Sequence, residues 1–194
     1  MKYKIVSAGV FGIILAASFG TFANAQAPTA PMKAEKTVTV GGAPMYPSKN
    51  IIQNAVNSKD HTTLVAAVKA AGLVDTLSGP GPFTVFAPTN AAFGKLPAGT
   101  VDNLVKPENK ATLTKILTYH VVSGRLSSAD LMKTADMGMG KNTLTTVQGE
   151  TLKVTAKGGA VWLTDAKGGM SKVTIANVNQ SNGVIHVVDT VLMP

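Results

Sequence analysis

Hydrophobic positions follow two different periods along the chain, and the change of period divides it into two halves. Between residues 60 and 132, hydrophobic side chains recur every three or four positions, which is the spacing of one helix face. Between residues 143 and 191 they fall in short runs separated by turn sequences such as QGE, KGG and NQSNG. Helices gathered first and strands gathered later predict an α+β fold with an antiparallel sheet or sandwich.

Capping residues mark the ends of the predicted helices. Asp60 or Thr62 can cap a helix that runs to Ala71, and Gly72 follows where a left-handed stop is expected. A short turn is predicted at 73–77, and a helix capped by Thr100 is predicted to run to Val105. A further helix starts at Pro107 and carries on one face Leu113, Ile116, Leu117 and His120. The last short helix begins at Ser127 or Ser128.

The stretch FTVFAPTNAAF at 83–93 predicts a strand that runs directly into a helix. Residues 83–86 have strand composition, and Pro88 should end the sheet pairing because proline lacks an N–H. Thr89 or Asn90 can then satisfy the free N–H groups of the following helical turn. We therefore interpret this corner as a structural device rather than a catalytic loop.

Five strands are predicted in the second half of the chain, at 143–147, 151–156, 160–164, 172–178 and 183–191. The segment Val184 to Val188 is hydrophobic on both faces, with His186 as the exception. A strand of this kind is buried on both sides, so we expect it at the centre of the sheet.

Residues 1–25 have the layout of a secretory signal peptide. Lys2 and Lys4 give a basic start, a hydrophobic run follows at 10–17, and the small residues around Ala25 predict cleavage there. The hydrophobic run is shorter than the roughly 20 residues that span a bilayer. We therefore expect a secreted or periplasmic mature chain without a transmembrane segment.

The mature chain is predicted to consist of an arm and one domain. Residues 26–47 are rich in proline, alanine and lysine and lack helical periodicity, which predicts a flexible or extended arm that docks near Met45 to Pro47. Residues 48–194 then form one domain, long enough to bury a substantial hydrophobic core.

Composition narrows the functional classes. The chain of 194 residues carries a net charge of +8 and has no cysteine, which excludes disulfides and thiolate metal sites. Its lysines are scattered and Arg125 is the single arginine, so no nucleic-acid partner is expected. The charge instead suits an exposed, solvated surface or weak attraction to anionic polymers.

The candidate chemical groups do not assemble into a catalytic or metal-binding pattern. His120 and His186 lie among hydrophobic residues, which favours buried, hydrogen-bonded, neutral imidazoles. Three isolated histidines do not provide a zinc site, and the methionines at 137 and 139 are interpreted as loop residues rather than Cu(I) ligands. No G-x-S-x-G or phosphate-loop sequence is present. We expect no enzymatic activity, no metal and no cofactor.

Three segments together resemble the fasciclin (FAS1) domain family: TVFAPTNAAF at 84–93, the pair Tyr119-His120, and NGVIHVVDTVLMP at 182–194. The resemblance extends over residues 48–194 and is typical of small secreted bacterial single-domain members. It implies a β-sandwich wedge with several helices packed on one side. The positions that match the family's structural motif are Thr84, Phe86, Pro88, Thr89, Asn90, Phe93, Gly183, His186 and Asp189.

The resemblance also implies a function. In animal members the Tyr-His pair is linked to cell adhesion, which makes Tyr119 and His120 the candidate interaction residues. We expect an exported, non-enzymatic module for adhesion or for surface or matrix interaction, with an extracellular or cell-envelope protein or polysaccharide as partner. The alternative is a carrier of an apolar small molecule such as a carotenoid or lipid, because some algal members bind carotenoids. A mainly structural envelope protein is a third interpretation.

Overall fold

The computed structural model of the chain describes residues 36–137 and 141–194. The signal-peptide prediction at 1–25 lies outside these residues. The helices of the described part are α1 (Ile51–Ala55), α2 (Thr62–Ala71), α3 (Val74–Ser78), α4 (Asn90–Gly94), α5 (Thr100–Leu104), α6 (Lys110–Tyr119) and α7 (Ser128–Asp136). Short 3₁₀ turns at Lys59–His61 and Pro107–Asn109 lead into α2 and α6.

The strands of the described part form a small hairpin and one large sheet. They are β1 (Val38–Val40), β2 (Ala43–Met45), β3 (Phe83–Pro88), β4 (Val121–Ser123), β5 (Thr143–Thr145), β6 (Thr151–Lys157), β7 (Ala160–Thr164), β8 (Met170–Gln180) and β9 (Gly183–Val188). The hairpin pairs β1 with β2, and the seven-stranded sheet has the order β4-β3-β9-β8-β7-β6-β5.

Strand β9 is enclosed on both sides, as its continuous hydrophobic sequence predicts. It pairs with β8 antiparallel and with β3 parallel, and all six of its residues are buried. The other neighbouring strands of this sheet pair antiparallel, as expected, and the parallel pair was not predicted. Pairing of strands so distant in sequence is set by tertiary packing, which a local hydrophobic pattern does not reveal.

The sheet bends until its two edge strands meet. Val122 at the β4 edge forms a bridge with Thr146, which follows β5, and the N–H of Val147 donates to the carbonyl of Val121 at 2.7 Å. Strand β8 contributes to the bend through irregular pairing between Val173 and Val178, since bulges increase local twist. The result is the predicted α+β wedge.

Two hydrophobic clusters fill the molecule. The first lies between the helices and strands β3 and β9, and includes residues of α1, α2, α3, α4 and α6. The second lies on the concave side of the bent sheet, where α7 packs against β6 and β7 with Leu131 fully buried. The two faces of β3 and β9 therefore contribute to different clusters.

The helix boundaries follow local capping. The four buried residues of α2 recur at helical spacing, and Gly72 ends the helix with φ at 74° in the left-handed region. Ser127 and Asp130 cap α7 reciprocally, which confirms the start predicted there. For α5 the N-cap is Gly99 rather than the expected Thr100, which is the first helical residue.

The arm predicted at 26–47 is partly structured. Residues 38–45 form the β1–β2 hairpin, with Gly41 and Gly42 at the turn and Val40 and Met45 buried in the first cluster. Of the two alternatives, flexible or extended, this part is extended, and Met45 packs on the core where the arm was expected to dock, because each three-residue strand buries one hydrophobic side chain at its end. Such short strands give little periodic signal.

Within the described residues, no helix combines the length and hydrophobicity needed to cross a membrane.

Candidate functional site

Tyr119, at the end of α6, is fully buried and joins the helix to the sheet. Its hydroxyl donates a hydrogen bond to the carbonyl of Thr151 at 3.0 Å and accepts one from the N–H of Ala166 at 3.1 Å. Burial raises the pKa of this phenol. The side chain therefore holds β6 and the loop after β7 against the end of α6.

His120 follows directly and is also buried. Its Nδ1 lies 2.9 Å from the carbonyl oxygen of Ile116, and its Nε2 lies 3.0 Å from the N–H of Leu192. These partners assign the proton to Nδ1, which donates, and leave Nε2 to accept. Burial lowers the pKa of His120 to about 4, so the imidazole is neutral at physiological pH.

His186, in the middle of β9, has the opposite arrangement. Its Nε2 donates to the carbonyl of Leu126 at 2.8 Å, and its Nδ1 accepts from the N–H of Asn177 at 3.4 Å. The ring stacks on Phe86 with centroids 5.8 Å apart. Burial lowers the pKa of this imidazole as well. Both histidines are buried and hydrogen-bonded, as their hydrophobic sequence surroundings predict.

The candidate interaction pair is thus not presented to solvent. Tyr119 and His120 are 0% and 2% exposed, and their polar atoms are engaged by the backbone. A partner at the surface of this structure touches neither side chain. What the pair determines is the position of the backbone segments bonded to it, around Thr151, Ala166 and Leu192.

The corner between β3 and α4 is also a structural joint. Thr89 caps α4 by accepting the N–H of Ala92 at 3.2 Å, and Pro88 is the last residue of β3. Asn90 reaches across to the start of α2, where it accepts the N–H of Thr63 at 3.0 Å and donates to the carbonyl of Lys59 at 2.9 Å. The prediction that this corner is structural agrees with these bonds.

Thr84 and the two phenylalanines complete the corner's packing. The Thr84 hydroxyl donates to the carbonyl of Gly124 at 2.7 Å and accepts the N–H of Leu126 at 2.9 Å. Phe86 is buried in the second cluster and Phe93 in the first. The motif therefore anchors the chain on both faces of the sheet.

Gly183 and Asp189 stand at the two ends of β9. A Cβ on Gly183 would clash with the backbone of Phe83, so the strands approach more closely there than a side chain allows. Asp189 accepts the N–H of Lys172 at 2.9 Å and pairs with Lys95 at 3.5 Å. Burial acts to raise the pKa of Asp189, but these bonds and a bond from Thr190 lower it overall.

Two polar residues that bond to distant parts of the chain escape detection in the sequence. Asn182 accepts the N–H of Ile51 and donates to the carbonyls of Leu77 and Gly79, so that it ties the start of β9 to α1 and α3. Asn177 has a positive φ of 58° and bonds to the backbone and hydroxyl of Ser128. Asn182 lies in a turn sequence and Asn177 inside a predicted strand, and nothing local indicates their distant partners.

Two small hydrophobic cavities adjoin each other under the helices, each of about 30 Å³. They share Ile51, Ala55, Leu64 and Val85 in their walls, and the second is closed by Val40 and Met45 of the hairpin. A cavity of this size holds about one water-sized molecule. The space present in this conformation does not accommodate a carotenoid or a lipid.

A larger and more polar depression of about 510 Å³ opens on the outer face of the sheet. Its walls are formed by Thr143, Gly149, Glu150, Thr151, Lys153, Thr164, Asp165 and Ala166. It lies beside Trp162, which is partly exposed. The sequence analysis did not single out this face, because alternating threonine and lysine are ordinary in a half-exposed strand.

Within the described residues, no group of three or more histidine, aspartate or glutamate side chains could hold a metal ion. Met137 is exposed, whereas the remainder of the methionine-glycine loop at 138–140 lies outside the described residues.

The architecture defines the class of module to which the chain belongs. It is similar to the FAS1 domain pair of the insect cell adhesion molecule Fasciclin I, with a TM-score of 0.68 and 18% sequence identity over 83% of this chain and 59% of that chain. The fold is therefore the FAS1 fold. The Fasciclin domain model matches residues 59–194, and the chain belongs to the fasciclin family.

Bacterial relatives agree with this assignment. Protein sll1483 of Synechocystis sp. is 46% identical over 82% of this chain and 82% of its own length. Immunogenic protein MPB70 of Mycobacterium bovis is 41% identical over 72% of this chain and 66% of its own length. Cell surface glycolipoprotein MPB83 of the same species is 38% identical over 72% of this chain and 58% of its own length.

Proposed function

We propose that the protein is an exported, non-enzymatic fasciclin module that binds other surfaces, with an extracellular or cell-envelope protein or polysaccharide as its partner. The observation that carries this proposal is the hydrogen bonding of the buried polar side chains. The side chains of Tyr119, His120 and His186 form hydrogen bonds with backbone groups and therefore stabilise the fold. Since these buried groups are not available to a partner, we place the binding function on the exterior of the domain. The names of the mycobacterial cell surface glycolipoprotein and the insect cell adhesion molecule support the same conclusion.

The placement of the histidines supports a non-enzymatic function. A general base needs access to the proton that it removes. Burial lowers the pKa of all three histidines, His61, His120 and His186, but each lies in the interior, where no substrate reaches it. The partly exposed carboxylates of Glu150 and Asp189 form ion pairs with Lys115 and Lys95.

Export forms part of the proposal. A chain that is cleaved near Ala25 would reach the periplasm or the medium with Gln26 as its first residue. Mass spectrometry of the protein recovered from its native source tests this, with the expected mass being that of residues 26–194. Recovery of the uncleaved chain from the cytoplasm would overturn the assignment.

The binding function is tested with purified protein comprising residues 26–194. Its retention is measured on immobilised cell-envelope fractions, matrix proteins and polysaccharides, with the heat-unfolded protein as a control for non-specific adhesion. We expect retention of the folded protein on at least one of these surfaces. Equal retention of folded and unfolded protein, or no retention on any surface, would contradict the proposal.

A carrier of an apolar small molecule is the second candidate, and the two adjoining cavities under the helices favour it. Their walls are almost wholly hydrophobic, and Met45 closes one end with an adaptable side chain. Because each cavity is only about 30 Å³, a ligand requires the hairpin or α1 to move. Native mass spectrometry and an absorption spectrum of the natively isolated protein test this, and a bare polypeptide without visible absorbance would eliminate the carrier.

A further inference from the structure

The outward face of strands β6, β7 and β8 has an unusual composition. Along β7, Val161 and Leu163 are buried, while Trp162 and Thr164 alternate with them and therefore point away from the core. The same alternation in the neighbouring strands turns Lys153 and Lys172 outward. The chain's single tryptophan is thus placed on the solvent side of the sheet.

The strand register places basic groups around this tryptophan. Trp162 pairs with Lys172 on β8, and the Lys172 ammonium lies 6.0 Å from the centre of the indole ring. On the other side Trp162 pairs with Thr155, so that Lys153, two residues earlier on β6, is its diagonal neighbour. The indole therefore lies between two exposed lysines.

The outward positions of these strands are positively charged. Within these three described strands the outward positions carry lysines at 153, 157 and 172 and no acidic residue. The ion pairs found in the described part of the chain use other lysines, namely Lys95 and Lys115. This face therefore carries a charge complementary to an anionic partner.

The depression of about 510 Å³ extends the face beyond Lys153. Its size lies within the roughly 300–1,000 Å³ range of small-ligand sites, and threonines 143, 151 and 164 offer hydroxyl groups along it. Two acids also line it, and both are engaged. Glu150 pairs with Lys115 at 3.3 Å, and Asp165 accepts the backbone N–H groups of Lys167, Gly169 and Met193.

We propose that this face, centred on Trp162 with Lys153 and Lys172, is a binding site for an anionic polysaccharide. The C–H face of a sugar ring packs on the electron-rich indole, acidic groups on the polymer pair with the lysines, and sugar hydroxyls bond to the threonines. This inference rests on the proposed surface-binding function and names its partner class and its site.

The composition of the face favours a polysaccharide over the other large partners. A protein interface of standard size is centred on a cluster of buried hydrophobic residues, whereas Trp162 is surrounded by lysine and threonine. Single-stranded nucleic acid requires successive aromatic rings for successive bases, and this face offers one. Nucleic acid therefore enters the test as a competing outcome.

The tryptophan gives the site its own signal. Fluorescence excited selectively at tryptophan is recorded for residues 26–194 during titration with polygalacturonate, with dextran as the neutral polysaccharide and a single-stranded oligonucleotide as the other anionic polymer. We expect a saturable change with polygalacturonate that weakens as salt is added, since exposed charges are screened.

Variants locate the interaction. The test variant combines Lys153→Gln and Lys172→Gln. The control variant combines Lys106→Gln and Lys110→Gln, and it removes the same charge from exposed positions near the start of α6. Affinity gel electrophoresis in polygalacturonate measures binding without the tryptophan signal, and is also applied to Trp162→Thr. We expect about tenfold weaker binding in the first pair and in Trp162→Thr, and little change in the control pair. Circular dichroism verifies that each variant is folded.

The outcomes separate this inference from the broader proposal. Equal weakening in both lysine pairs would mean attraction by net charge alone and would overturn the site. Retention on proteins or envelope fractions without binding to polygalacturonate would overturn the anionic polysaccharide while the surface-binding function stands. Stronger binding of the oligonucleotide, or of dextran, would replace the partner class. Failure to bind any surface would overturn both proposals.

Discussion

Two buried histidines in this protein each donate one hydrogen bond to a carbonyl and accept one from a backbone N–H, with the roles of the two ring nitrogens exchanged. In His120 the proton is on Nδ1, and in His186 it is on Nε2. Protonation of either ring adds a donor that faces a backbone N–H rather than an acceptor. The neutral imidazole is therefore part of the folded structure, which makes stability dependent on pH.

The pH dependence has a definite direction. The pKa of His120 is about 4 in the folded protein, whereas that of a histidine in an unfolded chain is about 6.5. Because the unfolded chain binds more protons between these values, the free energy of unfolding falls as the pH falls through this window. In the native protein, His120 should account for about 2–3 kcal/mol of the decrease in the free energy of unfolding between about pH 7 and about pH 4.5. We expect this part of the decrease to be absent in His120→Gln. Urea unfolding at both pH values measures it, and an unchanged loss would contradict the assignment.

His186 offers a second residue-scale test. His186→Ala leaves the carbonyl of Leu126 and the N–H of Asn177 without their buried partner and removes the ring stacked on Phe86. We expect a loss of about 1–3 kcal/mol in the free energy of unfolding. Urea unfolding at neutral pH measures this loss. An unchanged denaturation midpoint would show that these bonds contribute nothing.

Gly183 tests a close backbone approach between β9 and β3. A Cβ at this position meets the backbone of Phe83, which cannot move without disturbing β3. We expect Gly183→Ala to destabilise the protein by about 1–3 kcal/mol or more. Gly94→Ala is the matched control, because its Cβ meets open space at the end of α4. Similar thermal midpoints for the two variants would contradict the close approach.

At the scale of elements, success in reading the sequence depended on whether the signal was local. The strand-to-helix corner at Thr89, the stop at Gly72 and the capping box of Ser127 rest on residues within four positions of one another, and all three are present. The parallel pairing of β3 with β9 and the role of Asn182 depend on residues about 100 positions apart. No local pattern encodes such contacts, and the sheet face around Trp162 becomes visible only once the register is known.

The pairing of β1 with β2 was not predicted from the sequence, and the hairpin should contribute to stability. Val40 and Met45 are buried in the first cluster, and the backbone of Tyr46 exchanges two hydrogen bonds with Asn54 of α1. We expect a chain that begins at Ser48 to be less stable than one that begins at Lys36 by several kcal/mol, at roughly 1.5–3 kcal/mol for each buried side chain. Urea unfolding of the two chains measures the difference.

A substitution separates the hairpin's packing from the effect of truncation. Met45→Ala retains the backbone pairing and removes the buried thioether side chain, which should cost about 2–5 kcal/mol. Val56→Ala, at a side chain that is 48% exposed after α1, should cost far less. Equal effects of the two substitutions would mean that the hairpin does not pack on the core as described.

At the scale of the whole molecule, strands β3 and β9 connect the two hydrophobic clusters. Val85 and Val187 belong to the first cluster, while their neighbours Phe86 and Val188 belong to the second. Loss of either cluster exposes one face of β3 and β9, so neither cluster remains fully enclosed without the other. The chain has no cysteine that could add a covalent cross-link, so the two clusters are connected by these shared strands.

The expected consequence is one cooperative unfolding transition. Far-ultraviolet circular dichroism reports mainly the helices, most of which pack on the first cluster, and tryptophan fluorescence reports Trp162 beside the second. Leu152→Ala, at a fully buried position of the second cluster, should lower both midpoints together, at a cost of about 2–5 kcal/mol. Val147→Ala, at a side chain that is 45% exposed, should leave both nearly unchanged. If the fluorescence midpoint moved while the circular dichroism midpoint did not, the two clusters would unfold independently. Strands β3 and β9 would then not couple them.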